Sequence, residues 1–139
     1  MRVFIPALRQ AVFLMLLAAV PSIAAALLHP SRPDPSRIPQ VEAAAVKSWT
    51  KRFVWVDARP PAEFQRDAIP GALSLSEDDW DRSIDAFADA WEPGVPVVVY
   101  CGGGDCGASE SVARRLKREA GVADIFVLRG GFDAWRHTR

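Results

Sequence analysis

The sequence predicts an α/β fold in which a central parallel sheet is flanked by helices on both faces, preceded by one N-terminal hydrophobic helix. Three observations support this fold class. Apolar β-branched runs alternate with stretches of helical period, which is the pattern of a parallel sheet covered on both sides. The apolar run Val95–Tyr100 enters a glycine-rich loop, as expected at the carboxyl end of a central strand. An uncharged run, Ala11–Leu28, precedes the alternating part.

Length and composition are those of one domain of ordinary size. The chain has 139 residues, half of them hydrophobic, with 17 basic and 17 acidic side chains. A nucleic-acid-binding domain would carry a basic excess, so we expect no nucleic-acid partner. Two cysteines are too few for a disulfide-dense scaffold.

The first 28 residues form a segment of their own. Arg2 and Arg9 precede the 18-residue run Ala11–Leu28, which as a helix would be about 27 Å long and would just cross a bilayer core. Two interpretations remain open, an uncleaved signal anchor and a secretory signal cleaved near Ala24-Ala25-Ala26. We expect a membrane-anchored protein whose domain lies outside the cytoplasm, in a periplasmic or other extracytoplasmic space. The alternative is secretion after cleavage.

Residues 29–40 have the composition of a linker. Four prolines with serine and aspartate between them predict an extended, partly stiff chain. The globular domain is then residues 41–139. Residues 29–139 carry 15 basic and 17 acidic side chains, so this part is not a polybasic binder of membrane surfaces.

The domain begins with short elements. Residues 41–49 have helical composition, and residues 53–56 have the composition of a strand. Pro60-Pro61 starts a short helix at residues 62–64, and a turn at residues 69–72 leads into an extended piece at residues 73–75.

The second half contains the longer elements. We expect Ser76 to cap a helix with Asp79 three residues on, and Pro93-Gly94 to end that helix. Its apolar stripe recurs at spacings of four, three and four residues: Trp80, Ile84, Phe87 and Trp91. The strand at residues 95–100 is followed by a helix at 110–120 closed by Gly121, a strand at 124–128 and a last helix at 132–137.

The loop after Tyr100 is the candidate site. Cys101 is the first residue past the strand, and Ser109 can cap the helix that follows. Between them the residues are Gly102, Gly103, Gly104, Asp105, Cys106, Gly107 and Ala108. Glycines let the backbone turn tightly and direct several N–H groups inward, and such a nest at a helix N-terminus holds an anion or a thiolate. This environment lowers a thiol pKa, so we expect Cys101 to be nucleophilic.

Four short signatures cover residues 40–137 in a fixed order. They are Asp57-Ala58-Arg59 followed by Glu63-Phe64, the turn Ala68-Ile69-Pro70-Gly71-Ala72, the cysteine loop, and Gly130-Gly131-Phe132-Asp133-Ala134-Trp135. In order and spacing this set resembles the rhodanese family, in a single-domain type with a two-cysteine loop. The resemblance implies a three-layer rhodanese-like domain and transfer of sulfur through a persulfide on Cys101. It also implies that Asp57 and Arg59 pair and support neighbouring loops.

The loop departs from the common pattern of that family. Cys106 stands where an arginine is often found, and three roles stay open for it: a resolving thiol paired with Cys101, a relay for the sulfur, or a plain loop residue. Asp105 adds a negative charge and no cation compensates it within the loop, so a persulfide donor is as well supported as thiosulfate. Without a loop arginine the phosphatase activity of related proteins is not expected.

Neither metal nor cofactor is expected. Two thiols without a third cysteine or a nearby histidine fall short of the four ligands of a structural zinc site. His29 lies in the linker and His137 near the C-terminus, so neither is a candidate base for the loop. A preformed thiolate needs no general base.

Three functions follow from these observations. The first is a membrane-anchored sulfurtransferase that moves a sulfane sulfur from a small-molecule donor to a thiol acceptor through Cys101. The second is a thiol–disulfide or sulfide-handling module that uses Cys101 and Cys106 together. The third is a non-catalytic rhodanese-like module that recruits a protein partner. For such a partner the basic face at residues 114–118 is a candidate surface.

Overall fold

The computed structural model describes residues 37–104 and 107–138, and it contains the predicted central parallel sheet flanked by helices. The strands are β1 (Gln40–Val41), β2 (Val54–Asp57), β3 (Leu73–Ser74), β4 (Val97–Tyr100) and β5 (Ile125–Leu128). The helices are α1 (Ala43–Lys47), α2 (Pro61–Arg66), α3 (Trp80–Ala90), α4 (Gly107–Glu119) and α5 (Gly131–His137). A single 3-10 turn, Glu77–Asp79, leads into α3.

All five strands run parallel in the order β1-β5-β4-β2-β3, so β4 is the middle strand. Its register pairs Val98 with Trp55 on one side and with Phe126 on the other. Every residue of β4 is fully buried, as expected for an apolar run at the centre of a parallel sheet. The loop that follows β4 therefore lies at the carboxyl edge of the sheet, between the ends of two neighbouring strands.

Alternate residues of the central strands belong to two separate hydrophobic layers, because successive side chains point to opposite faces of a sheet. Val97 and Val99 pack in the larger layer, which α3 and α4 cover. Val98 and Tyr100 pack in the smaller layer, which α1 and α5 cover. The core thus consists of alternate side chains of the strands and of the apolar stripes of the helices.

Helix α3 follows the predicted stripe and ends where expected. Trp80 and Phe87 are buried, Ile84 and Trp91 pack against the same layer, and the last helical residue is Ala90. Ser76 occupies an N-cap position, but that of the 3-10 turn and not that of α3. Ser76 makes no capping hydrogen bond, because a 3-10 turn intervenes and its buried hydroxyl has no partner among the described residues.

Two boundaries also differ from the sequence prediction. Val41, predicted to be helical, belongs to β1 and is in register with Leu128, because the edge of the sheet offers free backbone groups at that position. Helix α4 includes Gly107, so Ser109 lies inside the first turn of the described helix and is not its cap.

The predicted N-terminal hydrophobic helix, Asp105 and Cys106 lie outside the described residues. Within residues 37–104 and 107–138, no helix is long and apolar enough to cross a bilayer.

Candidate active site

Cys101 immediately follows the buried middle strand and is itself 2% exposed. Its side chain is half of a disulfide, so the structure holds this residue in an oxidised form. The hydroxyl of Ser109, buried in the first turn of α4, donates to Cys101 Sγ over 3.7 Å. Any reaction in which this sulfur attacks a donor must therefore begin with reduction of the disulfide.

Helix α5 holds the backbone of the loop. The N–H of Phe132 donates to the carbonyl oxygen of Cys101 at 2.7 Å, and the N–H of Asp133 donates to the carbonyl oxygen of Gly102 at 3.0 Å. In a planar trans peptide the C=O and N–H point in opposite directions. The N–H groups of Gly102 and Gly103 therefore both point away from α5.

The amides of Gly102 and Gly103 are the candidate anion-binding groups of the loop. Neither the N–H of Gly102 nor that of Gly103 donates a backbone hydrogen bond within the described part of the chain. Two neighbouring amides directed the same way form part of an anion-binding nest of the kind predicted from the glycines. They can stabilise negative charge on a sulfur held at the loop.

Gly131 is required where α5 meets the loop. Its φ is +55°, and a Cβ there would lie 2.4 Å from the Cys101 carbonyl oxygen and 3.1 Å from the Gly103 nitrogen. Only glycine permits this approach. From the sequence this segment is predicted only as one of the four family signatures, not as part of the site. The signal that could have done so is the pair Gly130-Gly131 directly before a helix.

Asp57 and Arg59 form the expected ion pair at the end of β2. Asp57 is fully buried and Arg59 is 7% exposed, with Arg59 Nη2 2.7 Å from Asp57 Oδ2 and Arg59 Nε 3.0 Å from Oδ1. The hydrogen bond with Asp57 raises the pKa of the Arg59 guanidinium above its already high value, against the opposing effect of burial. The Arg59 guanidinium therefore stays charged.

Arg59 also ties three parts of the site together. Its Nη2 donates to the carbonyl oxygen of Asp67 at 2.6 Å, just beyond α2. Its guanidinium carbon lies 4.2 Å from the centre of the Phe132 ring, a cation–π distance. The side chain thus links the end of β2, the end of α2 and the start of α5, which agrees with a supporting role.

Tyr100 fixes the turn predicted at residues 69–72. Its hydroxyl accepts a hydrogen bond from the N–H of Ile69 at 3.1 Å. Burial raises the pKa of the Tyr100 phenol well above its usual range, and its hydrogen bond with Asp57 adds to the effect. The phenol in the folded protein therefore keeps its proton at pH values where a free tyrosine loses it.

Two open pockets flank the loop. One, of about 230 Å³, touches Gly104 and Ser109 beside β5. The other, of about 530 Å³, lies between α2 and α5 and touches Gly102. No group of side chains in residues 37–104 and 107–138 could hold a metal ion.

Comparison with known sequences finds rhodanese-like proteins. Residues 41–138 match the model of the rhodanese-like domain. The chain is 34% identical over 102 residues to the thiosulfate sulfurtransferase GlpE of Pseudomonas fluorescens Pf-5, covering 73% of this chain and 85% of the relative. It is 33% identical over 105 residues to the protein of the same name from Stutzerimonas stutzeri, covering 76% and 88%.

Solved structures agree on the fold. The rhodanese-like domain of the Anabaena protein Alr3790, determined in solution, superposes with a TM-score of 0.54 at 25% identity, covering 72% of this chain and 74% of that one. The Bacillus halodurans protein BH2092 superposes with a TM-score of 0.58 at 20% identity, covering 70% and 71%.

Proposed function

This chain belongs to the rhodanese-like domain family, and from that premise we propose that it is a sulfurtransferase whose reduced Cys101 carries a sulfane sulfur from a small donor to a thiol. The single observation that carries the proposal is the position of Cys101, directly after the middle strand and beside two loop amides that make no other backbone hydrogen bond among the described residues. The matching family and relatives named thiosulfate sulfurtransferase support the general activity.

The proposed reaction has two half-steps. The Cys101 thiolate attacks the outer sulfur of thiosulfate or of a persulfide. A sulfur–sulfur bond forms at Cys101, the bond inside the donor breaks, and sulfite or a thiolate leaves with the electron pair. An acceptor thiolate then attacks the outer sulfur, and the bond to Cys101 breaks to restore the thiolate. The amides of Gly102 and Gly103 stabilise the charge that develops on the transferred sulfur.

The test is mass spectrometry of the reduced protein after exposure to a sulfur donor. We expect Cys101 to gain one sulfur atom and to lose it on addition of a thiol. Cys101→Ser should abolish both the gain and turnover, whereas Cys106→Ser, in the same loop, should still load Cys101. Full transferase activity in the Cys101→Ser variant would show that the nucleophile is misassigned.

A second candidate function has one observation in its favour, the oxidised state of Cys101. In a thiol–disulfide role, two electrons pass from a reduced dithiol partner to the Cys101 disulfide, which opens to thiols while the partner becomes a disulfide. The same mass spectra separate the two functions. Loss of two hydrogens linking Cys101 to Cys106, without any gain of sulfur, would favour the redox role.

We further propose that residues 1–28 anchor the protein in a membrane with the domain outside the cytoplasm. The support is the uncharged run Ala11–Leu28 behind Arg2 and Arg9. Sequencing the N-terminus of the mature protein distinguishes an anchor, which keeps this run, from a cleaved signal.

A further inference from the structure

We propose that the face of the domain covered by α1 and α5 lies against the headgroup layer of a bilayer that contains anionic lipid. The inference goes beyond sulfur transfer and needs neither Cys101 nor its loop. It draws on the membrane anchor proposed above only for a tether. Its evidence is a patch of partly exposed aromatic rings, the lysines beside that patch, and the acidic character of the opposite face.

Helices α1 and α5 are short, and they leave part of the smaller hydrophobic layer in contact with solvent. We call the partly exposed rings there the aromatic patch, which consists of Trp49, Phe53, Phe126 and Trp135. The Trp49 ring centre lies 5.3 Å from that of Phe53 and 5.5 Å from that of Phe126. The buried ring of Trp55 contacts both Phe53 and Trp135, at 5.3 and 5.1 Å. Continuous apolar patches of this kind mark interaction surfaces.

The tryptophans of the patch have a polar end that the protein does not use. Trp91, in the other hydrophobic layer, donates from Nε1 to the carbonyl oxygen of Val95 at 2.8 Å. Among the described residues, the Nε1 atoms of Trp49 and Trp135 have no such acceptor. Tryptophan is enriched at the level of lipid headgroups because its ring is apolar and its N–H can meet polar groups there.

Two of the three lysines of the chain lie on the aromatic patch. Lys51 Nζ is 5.9 Å from the centre of the Trp49 ring, and Lys47 Nζ is 4.4 Å from that of Trp135. A lysine whose stem lies on apolar surface can place its ammonium group among lipid phosphates. This is attachment by aromatic rings and two lysines, which differs from the polybasic attachment that the balanced charge of the domain excludes.

The carboxylates on this side of the domain leave it with a positive excess. Glu42 and Glu92 each pair with an arginine, at 3.2 and 2.7 Å. Asp124, just before β5, and Asp133, on α5, are exposed and form no salt bridge within the part of the chain that the structure describes. The two lysines and the exposed Arg136 outnumber these two acids, so the face attracts anionic lipid.

The opposite face of the sheet carries the contrary charge. Four exposed carboxylates on α3 and the turn before it form no salt bridge within residues 37–104 and 107–138: Asp78, Asp81, Asp85 and Asp89. Helix α4 shares that face, and its three arginines all pair with glutamates. Because α3 covers the larger layer, these carboxylates lie on the far side of the sheet from the aromatic patch. An anionic bilayer therefore attracts one face and repels the other.

The position of the patch in the chain favours a membrane over a protein partner. The linker predicted at residues 29–40 follows the proposed anchor and leads into β1, and residues 47–53 come shortly after it. A chain of that length spans at most about 40 Å when fully extended, so a tethered domain meets the bilayer at a high effective concentration. Phe53 precedes β2 at the amino edge of the sheet, whereas Cys101 follows β4 at the carboxyl edge. Covering the patch thus leaves the loop accessible.

The test uses the full-length protein in nanodiscs of phosphatidylcholine and phosphatidylglycerol with a nitroxide on a fraction of the headgroups. Each tryptophan gives one indole N–H signal by NMR, and the nitroxide enhances the relaxation of signals near the lipid surface. We expect the enhancement at Trp49 and Trp135 to be at least threefold larger than at Trp80 and Trp91, which belong to the opposite layer. Equal enhancement at all four, or a larger effect at Trp80 and Trp91, would overturn the inference.

Lipid charge and protein charge are varied next. In nanodiscs of phosphatidylcholine alone, the enhancement at Trp49 should fall by at least half. Lys51→Glu should cause a similar fall in the anionic nanodiscs. The matched control is Lys117→Glu, at the third lysine of the chain, which is exposed on α4, and it should leave the enhancement unchanged. Equal effects of the two substitutions would show that the lysines of the patch do not meet the lipid.

A second copy of the chain is the alternative occupant of the patch. Concentration-dependent shifts of the Trp49 and Trp135 signals in detergent, with equal nitroxide effects in nanodiscs, would assign the patch to that copy and overturn the inference. A chain that does not insert is tested by adding the same nanodiscs to it. A failure of Cys101 to gain sulfur would remove the transferase function and leave these measurements unaffected.

Discussion

At the scale of single residues, the site depends on a backbone contact that leaves no room for a side chain. The amides of Phe132 and Asp133 bind successive loop carbonyls, and this fixes the direction of the loop N–H groups. The contact requires Gly131, because a Cβ would overlap the Cys101 carbonyl oxygen. A residue 30 positions away in the sequence thus sets the geometry of the reactive loop.

Gly131→Ala tests this arrangement. We expect it to lower the free energy of unfolding by about 3 kcal/mol, because the added Cβ overlaps the loop backbone and alanine is strained at a left-handed φ. We also expect the protein that remains folded to transfer sulfur more than tenfold more slowly. Gly121→Ala is the control, because Gly121 has φ +70° with nothing within 4 Å of an added Cβ. For Gly121→Ala we expect the free energy of unfolding to fall by roughly 1–2 kcal/mol and the turnover to stay unchanged. Denaturant unfolding and a transfer assay measure both, and equal effects at the two glycines would contradict the prediction.

At the scale of elements, helix α4 connects the loop to the core. Its N-terminal turn carries Ser109, which contacts Cys101, and its apolar stripe of Val112, Ala113 and Leu116 is fully buried in the larger layer. Its basic face is largely paired within the protein, since Arg114 binds Glu110 and Arg115 binds Glu77 and Glu119. A protein partner on this face stays a prediction, and it would have to compete with these internal pairs.

Leu116→Ala tests how strongly the apolar stripe of α4 stabilises the fold. Removing this fully buried side chain should cost about 3 kcal/mol of unfolding free energy, through lost burial and the cavity left behind. Lys117→Ala, at the next and exposed position, should change it by less than about 0.5 kcal/mol. Chemical denaturation gives both values. A loss at Leu116 no larger than that at Lys117 would show that α4 is not held by this stripe.

At the scale of the whole molecule, the two hydrophobic layers meet the polar groups of the site at the carboxyl edge of the sheet. Tyr100 belongs both to the core and to these polar groups. Its ring packs in the smaller layer, and its hydroxyl accepts a hydrogen bond from the N–H of Ile69. It is the single tyrosine of the chain, so its ionisation can be followed by ultraviolet absorption. Because of this residue, we expect the stability of the fold to change with pH in the alkaline range.

The direction of that dependence follows from the raised pKa. Above pH 10, the ordinary value for tyrosine, the unfolded chain loses the phenolic proton while the folded chain keeps it. The contribution of Tyr100 is therefore complete below pH 10 and is lost above it, by up to about 1.4 kcal/mol per pH unit. Tyr100→Phe removes this component and leaves the Ile69 N–H without its acceptor, at a cost of about 1–3 kcal/mol near pH 8.

Unfolding measured at pH 8 to 11 should show the difference between parent and Tyr100→Phe shrinking as the pH rises. In the parent, the phenolate absorption band should appear together with unfolding. A phenolate band in the folded protein near pH 10, or a difference that stays constant with pH, would contradict the prediction.

The sequence by itself determined the fold class, the middle strand and the position of Cys101, because these depend on local periodicity and on residues adjacent in the chain. Val97–Tyr100 is a buried strand in any α/β arrangement, and a glycine loop after it must lie at the edge of the sheet. Only the tertiary structure decided that α5 holds the loop and that Asp133 and Arg136 share a pocket with Arg66. These contacts join segments more than 30 residues apart, and their geometry is set by how helices pack on the sheet, which no local pattern encodes.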